Sequence, residues 1–240
     1  QAVRERITKL MRRAFRQPAE PATVERFAKF AEQQLADGAK WETVMRQVVS
    51  AVLGMPDFLY IYESPNPGSK PSGRQRINDF ELATRLAQFF WSSIPDDTLL
   101  ELAEAGKLSE PQVLNAQIDR MMNDKKIGRF TDNFPGQWLQ LDRLVTAIPN
   151  PKKFPYFYYH GYRTSMHMMS EPLLLFETVL VENRSVMDLI APDFTWESTM
   201  LKANYDGHNR GGRDVQVQHF RRVPVTDARR GGVITSAAVL

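Results

Sequence analysis

Two glutamates six residues apart, Glu171 and Glu177, come nearest in this chain to a catalytic pair. Two carboxyl groups flanking a sugar linkage can cleave it as acid and base, or as acid and nucleophile, once they stand roughly 5–10 Å apart. Sequence spacing alone does not achieve that. Tertiary folding would have to place both carboxylates in one groove, with Tyr158 and Tyr162 as its walls. Trp138, Tyr156, Tyr158, Tyr159 and Tyr162 also offer flat apolar faces on which sugar rings can stack, although aromatics contribute most to any core as well. A second constellation is His167 four residues before Glu171, surrounded by Met166, Met168 and Met169, a donor set suited to a soft metal such as copper. Pro172 stands against it. Its ring clashes with the carbonyl of Met168, so the helix is expected to end there and swing Glu171 away from His167. The methionines then read as core filler, with no metal bound.

The remaining chemistry is thinner. Asp96 and Asp97 are adjacent, so on a helix they point about 100° apart and act as helix-start charges rather than as a converging pair. The loop Asp206–Asp214 has oxygen ligands and glycines but lacks the spaced acidic residues and closing Glu of a calcium loop. No GxSxG, HExxH, Walker or dinucleotide-binding glycine pattern occurs. With no cysteine, the chain has no disulfide, no thiolate ligand and no thioether attachment for haem. The balance favours a non-catalytic chain over an enzyme.

The elements that must position these residues are helical. Apolar spacing predicts helices near 2–16, 21–37 and 40–54, then a linker-like stretch rich in Pro, Gly and Ser at 64–76. Asn78 with Glu81 forms a capping box ahead of a wide apolar face that runs from Phe80 to Phe90. Asp96 and Asp97 open the next helix, Gly106 closes it, and Ser109 with Gln112 suggests another capping box. Residues 125–141 read as one kinked helix, with Phe130, Phe134, Trp138 and Leu141 on one face and Pro135-Gly136 inside. Phe89, Trp91, Phe134 and Trp138 are expected to share one core. Beyond Asp193 the pattern changes: Val215–Phe220 alternates as a strand would, with Val223-Pro224-Val225 and Gly232-Val233-Ile234 as pairing partners. The fold class is therefore mainly α, helical modules with a short β-containing C-terminal segment. The expected modules are 1–63, small and helical; 64–76, a linker; 77–206, larger and helical; and 207–240, the start of a third.

The chain has 240 residues, a net charge of +3 and 42% hydrophobic residues, the composition of an ordinary globular protein. It lacks the run of about 18 apolar residues that a transmembrane helix needs. Both ends are basic, but the arginines of residues 1–16 alternate with Val3, Ile7, Leu10, Met11 and Phe15 as the outer side of an amphipathic helix. No stacking-aromatic pattern accompanies them, which argues against nucleic acid as a partner. The start at Gln1 and the apolar run ending at Val239-Leu240 suggest a piece of a longer protein, with residues 231–240 packed on the helical module or on sequence beyond it.

Several blocks taken in order resemble the planctomycete cytochrome-c-associated families, consecutive modules in large multidomain proteins. They are Arg12–Arg16, Phe80–Leu86 through Trp91-Ser92-Ser93, Pro95–Asp97, Asp132–Phe134, Gly136–Leu139, Arg184–Ile190 and Arg229–Val233. The chain departs from the family's pattern at Ser165–Pro172, at Glu197-Ser198 and at Tyr205–Asn209. The resemblance implies a secreted or envelope protein, periplasmic or extracellular. It also implies a c-type haem carried by a separate domain, with none in this fragment. Partners would be other domains of the same polypeptide and, as an alternative role, a polysaccharide. The family supplies no catalytic residues to transfer.

Overall fold

Apolar residues about four apart on three successive segments build the first helices of the computed structural model, which describes residues 1–61, 77–153, 162–199, 201–202, 220–227 and 229–239. Of 162–164 only the backbone is described. The expected linker 64–76, the tyrosines at 156, 158 and 159, the Asp206–Asp214 loop and all but the last residue of the expected strand Val215–Phe220 lie outside the described residues. The protein is mainly α-helical, with a two-stranded antiparallel sheet near its C-terminus. It forms two units, residues 1–127 and 128–240.

In the first unit, α1 (Ala2–Phe15), α2 (Pro21–Ala36) and α3 (Trp41–Leu53) pack around Ile7, Met11 and Phe15, Val24, Ala28 and Ala31, and Val44, Val48 and Val52. The small residues on α2 let its backbone approach its neighbours. Arg16 adopts the left-handed conformation and ends α1. Its guanidinium donates to the carbonyls of Asp57, Phe58 and Tyr60 at 2.8–3.1 Å, fastening the short helix α4 (Pro56–Leu59). Burial pushes the pKa of Arg16 down from its ordinary value, against the opposing pull of Asp57.

The capping box at α5 (Asp79–Trp91) is present in both halves: Glu81 N–H donates to Asn78 Oδ1 at 2.8 Å and Asn78 N–H to Glu81 Oε2 at 3.0 Å. Asp96 caps α6 (Asp97–Glu104) and also accepts both ends of the Arg120 guanidinium, at 2.7 and 3.2 Å. Asp97 points elsewhere and pairs with Arg13. Gly106, at φ 64, ends the α6 turn. The predicted Ser109 cap is corrected: α7 (Pro111–Met122) starts from Glu110, which makes no side-chain cap, because Pro111 presets the first turn. Trp91 is fully buried and donates from Nε1 to the carbonyl of Met121, with Lys126 4.2 Å and Arg120 5.3 Å from its ring centroid.

The expected shared aromatic core does not form as predicted. Trp91 is in the core of the first unit, whereas Phe89 is 53% exposed and Trp138, in the second unit, is 51% exposed. Nor is 125–141 one helix. A 3₁₀ turn at Lys125–Ile127 precedes α8 (Gly128–Trp138), and Gln140 at φ 54 turns the chain into α9 (Asp142–Thr146).

The second unit is organised by α10 (Tyr162–Val181), against which α8 packs through Phe130, Phe134 and Phe176. Pro172 was expected to end this helix, and it does not. Buried Met168, Glu171, Leu175, Phe176 and Val179 lie on both sides of the proline. Their burial outweighs a local cost of roughly 3 kcal/mol. Strand β1 (Phe194–Glu197) pairs with β2 (Arg221–Pro224) in the register Phe194↔Pro224 to Glu197↔Arg221. Of the segments expected to pair with Val215–Phe220, Val223-Pro224 lies in β2 and pairs with β1, and Val233-Ile234 lies in a 3₁₀ turn, Val233–Thr235. Gly232, at φ 61 and ψ −163, reverses the chain against the carbonyls of Leu189 and Ile190. Val233 thereby enters the core formed by Leu175, Val179 and Phe194.

Candidate functional site

One face of α10 carries the polar residues of most chemical interest. His167 and Glu171 are buried on successive turns, each joined to the segment 195–198 that follows the start of β1. His167 Nδ1 lies 2.6 Å from Ser198 Oγ, and the same oxygen accepts Leu201 N–H at 3.1 Å. The Ser198 hydroxyl has a second lone pair and one proton, so the donor of the His167–Ser198 bond is set by the imidazole tautomer. The imidazole stacks on Phe220, centroids 5.3 Å apart. A turn later, Glu171 Oε1 accepts Thr195 Oγ1–H at 2.9 Å and Arg230 Nη2 at 3.1 Å, while Arg230 Nη1 reaches Glu197 at 3.3 Å.

This arrangement joins elements and does not expose a reactive group. Ser198 is 2% exposed, and its hydroxyl caps the turn that carries Leu201 into the core beside Met168 and Phe220. Glu171 and Glu177 are not brought together. Residues six apart lie about 120° apart around a helix. Accordingly Glu171 is buried while Glu177 is exposed. Met166, His167 and Met168 are consecutive and diverge. Met166 is half-buried and Met168 packs in the core with Leu201 and Phe220, as a filler does. Among the described residues no group of three His, Asp or Glu side chains could hold a metal ion. Tyr158 and the side chain of Tyr162 lie outside the described residues.

A different surface of the second unit is more open. Phe130, packed on Phe176, begins a ladder in which Phe134 follows at 5.2 Å and Trp138 at 6.1 Å from ring to ring, running from the core to the surface. Trp138 forms one wall of a groove of about 470 Å³ that is completed by Gln140, Arg143, Leu144, Ala147 and Val239. The aromatic spacing at 130, 134 and 138 was legible in the sequence. The parts played by Gln140 and Arg143 were not, because they depend on the left-handed turn at Gln140 that separates α8 from α9. In the first unit, a smaller cavity of about 210 Å³ lies beside Arg16, Tyr60 and Glu81. Arg16 is already committed there to three carbonyls.

Two family models match the chain. One, described as PSD4, protein of unknown function (DUF1592), covers residues 77–206. The other, described as PSD5, protein of unknown function (DUF1595), covers residues 2–63. No curated protein and no solved structure matches it.

Proposed function

We propose, from the premise that this chain belongs to the PSD4 family of proteins of unknown function (DUF1592), that it is a non-catalytic helical scaffold or docking module of a larger secreted or envelope protein. The observation that carries this reading is the fate of Glu171. The carboxylate best placed by sequence for acid–base work is committed to Thr195 and Arg230 and tucked away from Glu177. His167, Ser198 and Arg16 are likewise spent on holding segments together. Polar groups used in this way specify how elements pack and are not available to a substrate.

The wider setting belongs to the same proposal. The module division into 1–63, 64–76, 77–206 and 207–240 is supported by the bounds of the two family matches, 2–63 and 77–206, while the planctomycete cytochrome-c-associated context, a periplasmic or extracellular location and a c-type haem in another domain rest on the blocks of resemblance. Among the described residues no helix is long and apolar enough to cross a membrane. The complete reading frame tests this setting. An export signal and a Cys-x-x-Cys-His segment outside these 240 residues are expected, and a single cytosolic domain lacking both would overturn it.

A second reading, polysaccharide binding without cleavage, is favoured by the half-exposed indole of Trp138 at the wall of its groove. Binding of an oligosaccharide that is lost in Trp138→Ala would support it.

A further inference from the structure

We infer that the Trp138 groove takes an acidic sugar, a pyranose ring bearing a carboxylate, as part of an extended uronic-acid chain. The inference rests on the polysaccharide-binding reading and narrows it to a ligand class.

Three features converge on that chemistry. The first is the indole. Trp138 is 51% exposed, and Phe134 stacks beside it with the two rings inclined by 29°. Phe134 is itself held against Phe130 and Phe176, so the indole stands on an aromatic column rooted in the core. A flat apolar surface fixed in this way and left in water suits the C–H face of a sugar ring.

The second is charge. Arg143 is exposed on the first turn of α9, and among the described residues none pairs with its guanidinium. None of the described residues lining the groove is acidic. A planar guanidinium with its donors unspent recognises carboxylate by paired hydrogen bonds. A groove whose described lining holds one cation and no anion favours an acidic ring over a neutral one.

The third is shape and strain. Trp138, Gln140, Arg143 and Ala147 are all exposed, so the groove is an open trough and not the enclosing pocket that buries most of a small ligand. Such a trough suits a polymer lying across it. Gln140 holds φ 54, a conformation uncommon for a residue other than glycine, and its backbone N–H is tied to Gln137 O at 3.2 Å. This turn makes Gln140 part of the lining with Trp138 and Arg143, and its carboxamide can bond to ring hydroxyls.

The test titrates the full chain with oligogalacturonate and, separately, with a neutral oligosaccharide of equal length, cello-oligosaccharide, following tryptophan emission and calorimetric heat. Saturable binding of the uronate is expected. It should weaken by about tenfold or more in Trp138→Ala and lose its salt dependence in Arg143→Gln. Both variants should melt near the parent temperature, because both side chains are exposed. Equal binding of the neutral oligosaccharide would overturn the uronate inference and leave the binding reading standing. Failure of both sugars to bind would overturn the two together. Uronate binding that survives Trp138→Ala would place the site elsewhere. Concentration-dependent self-association abolished by Trp138→Ala, with no sugar bound, would make this face a contact between copies of the chain and remove the inference.

Discussion

Glu171 and Arg230, 59 residues apart in sequence, meet at 3.1 Å and tie the long helix α10 to the turn that precedes the core residue Val233. The Glu171 side chain is only 7% exposed, whereas that of Arg230 retains 25%. Arg230→Gln would leave a buried carboxylate supported by Thr195 with its cation removed. A destabilisation of about 2–4 kcal/mol is expected in urea denaturation. Glu177→Gln, on the exposed side of the same helix, should change stability by less than about 0.5 kcal/mol. Equal effects of the two substitutions would contradict the division of labour between these carboxylates.

Gly232 presents a steric test. A Cβ built on it would lie 2.2 Å from the carbonyl oxygen of Leu189 and 2.6 Å from that of Ile190, at φ +61. Gly232→Ala therefore forces the backbone to move as well as straining it, and should cost roughly 3 kcal/mol or more by thermal denaturation. Gly38 at φ +89 has open space around its Cβ position. There Gly→Ala should cost only about 1–2 kcal/mol, the conformational penalty alone.

The two tryptophans should separate cleanly. Trp91→Ala empties a fully buried site and removes the indole donor to Met121, at a cost of about 3–5 kcal/mol. Trp138→Ala removes a half-exposed ring and should cost less than about 1.5 kcal/mol, the smaller transfer term of a partly wet side chain. Calorimetric melting of both variants decides this. A Trp138→Ala protein as unstable as Trp91→Ala would mean that the indole is part of the core.

Asp97 gives the pH test. The hydrogen bond from Arg13 holds its carboxyl below the usual carboxylate range, assisted by the nearby charges of Arg12 and Lys9. A depressed pKa in the folded state means that this ion pair contributes fully above the ordinary value near 3.8 and that its contribution is lost as pH falls through the lower, folded value. Carbon-detected NMR titration should place the Asp97 midpoint below that of a model aspartate. Arg13→Gln should move it back up. An unshifted midpoint in the parent protein would show that the pair does not persist in solution.

Helix-level organisation was legible because its causes are local. The four-residue spacing of Ile7, Met11 and Phe15, the Asn78–Glu81 capping box, the stop at Gly106 and the aromatic row Phe130, Phe134, Trp138 all arise within one or two turns of chain, and each is present in the structure. The mainly helical class followed from that density of signals. Tertiary structure alone decided which face of each element became wet. Spacing put Phe89 and Trp138 on apolar faces, but only the packing of neighbouring helices determined that Trp91 would be enclosed while those two stayed half-exposed. Pro172 illustrates the same limit, since its local penalty was overruled by residues buried on both sides of it. The pairing of β1 with β2 joins segments more than twenty residues apart, and the contacts of Glu171 with Arg230 and His167 with Ser198 span comparable or longer gaps. Such contacts leave no periodic trace in the intervening sequence. The candidate groove belongs to this second class. Trp138 was visible as an aromatic, but its meeting with Gln140 and Arg143 follows from a single left-handed turn stabilised by the fold around it.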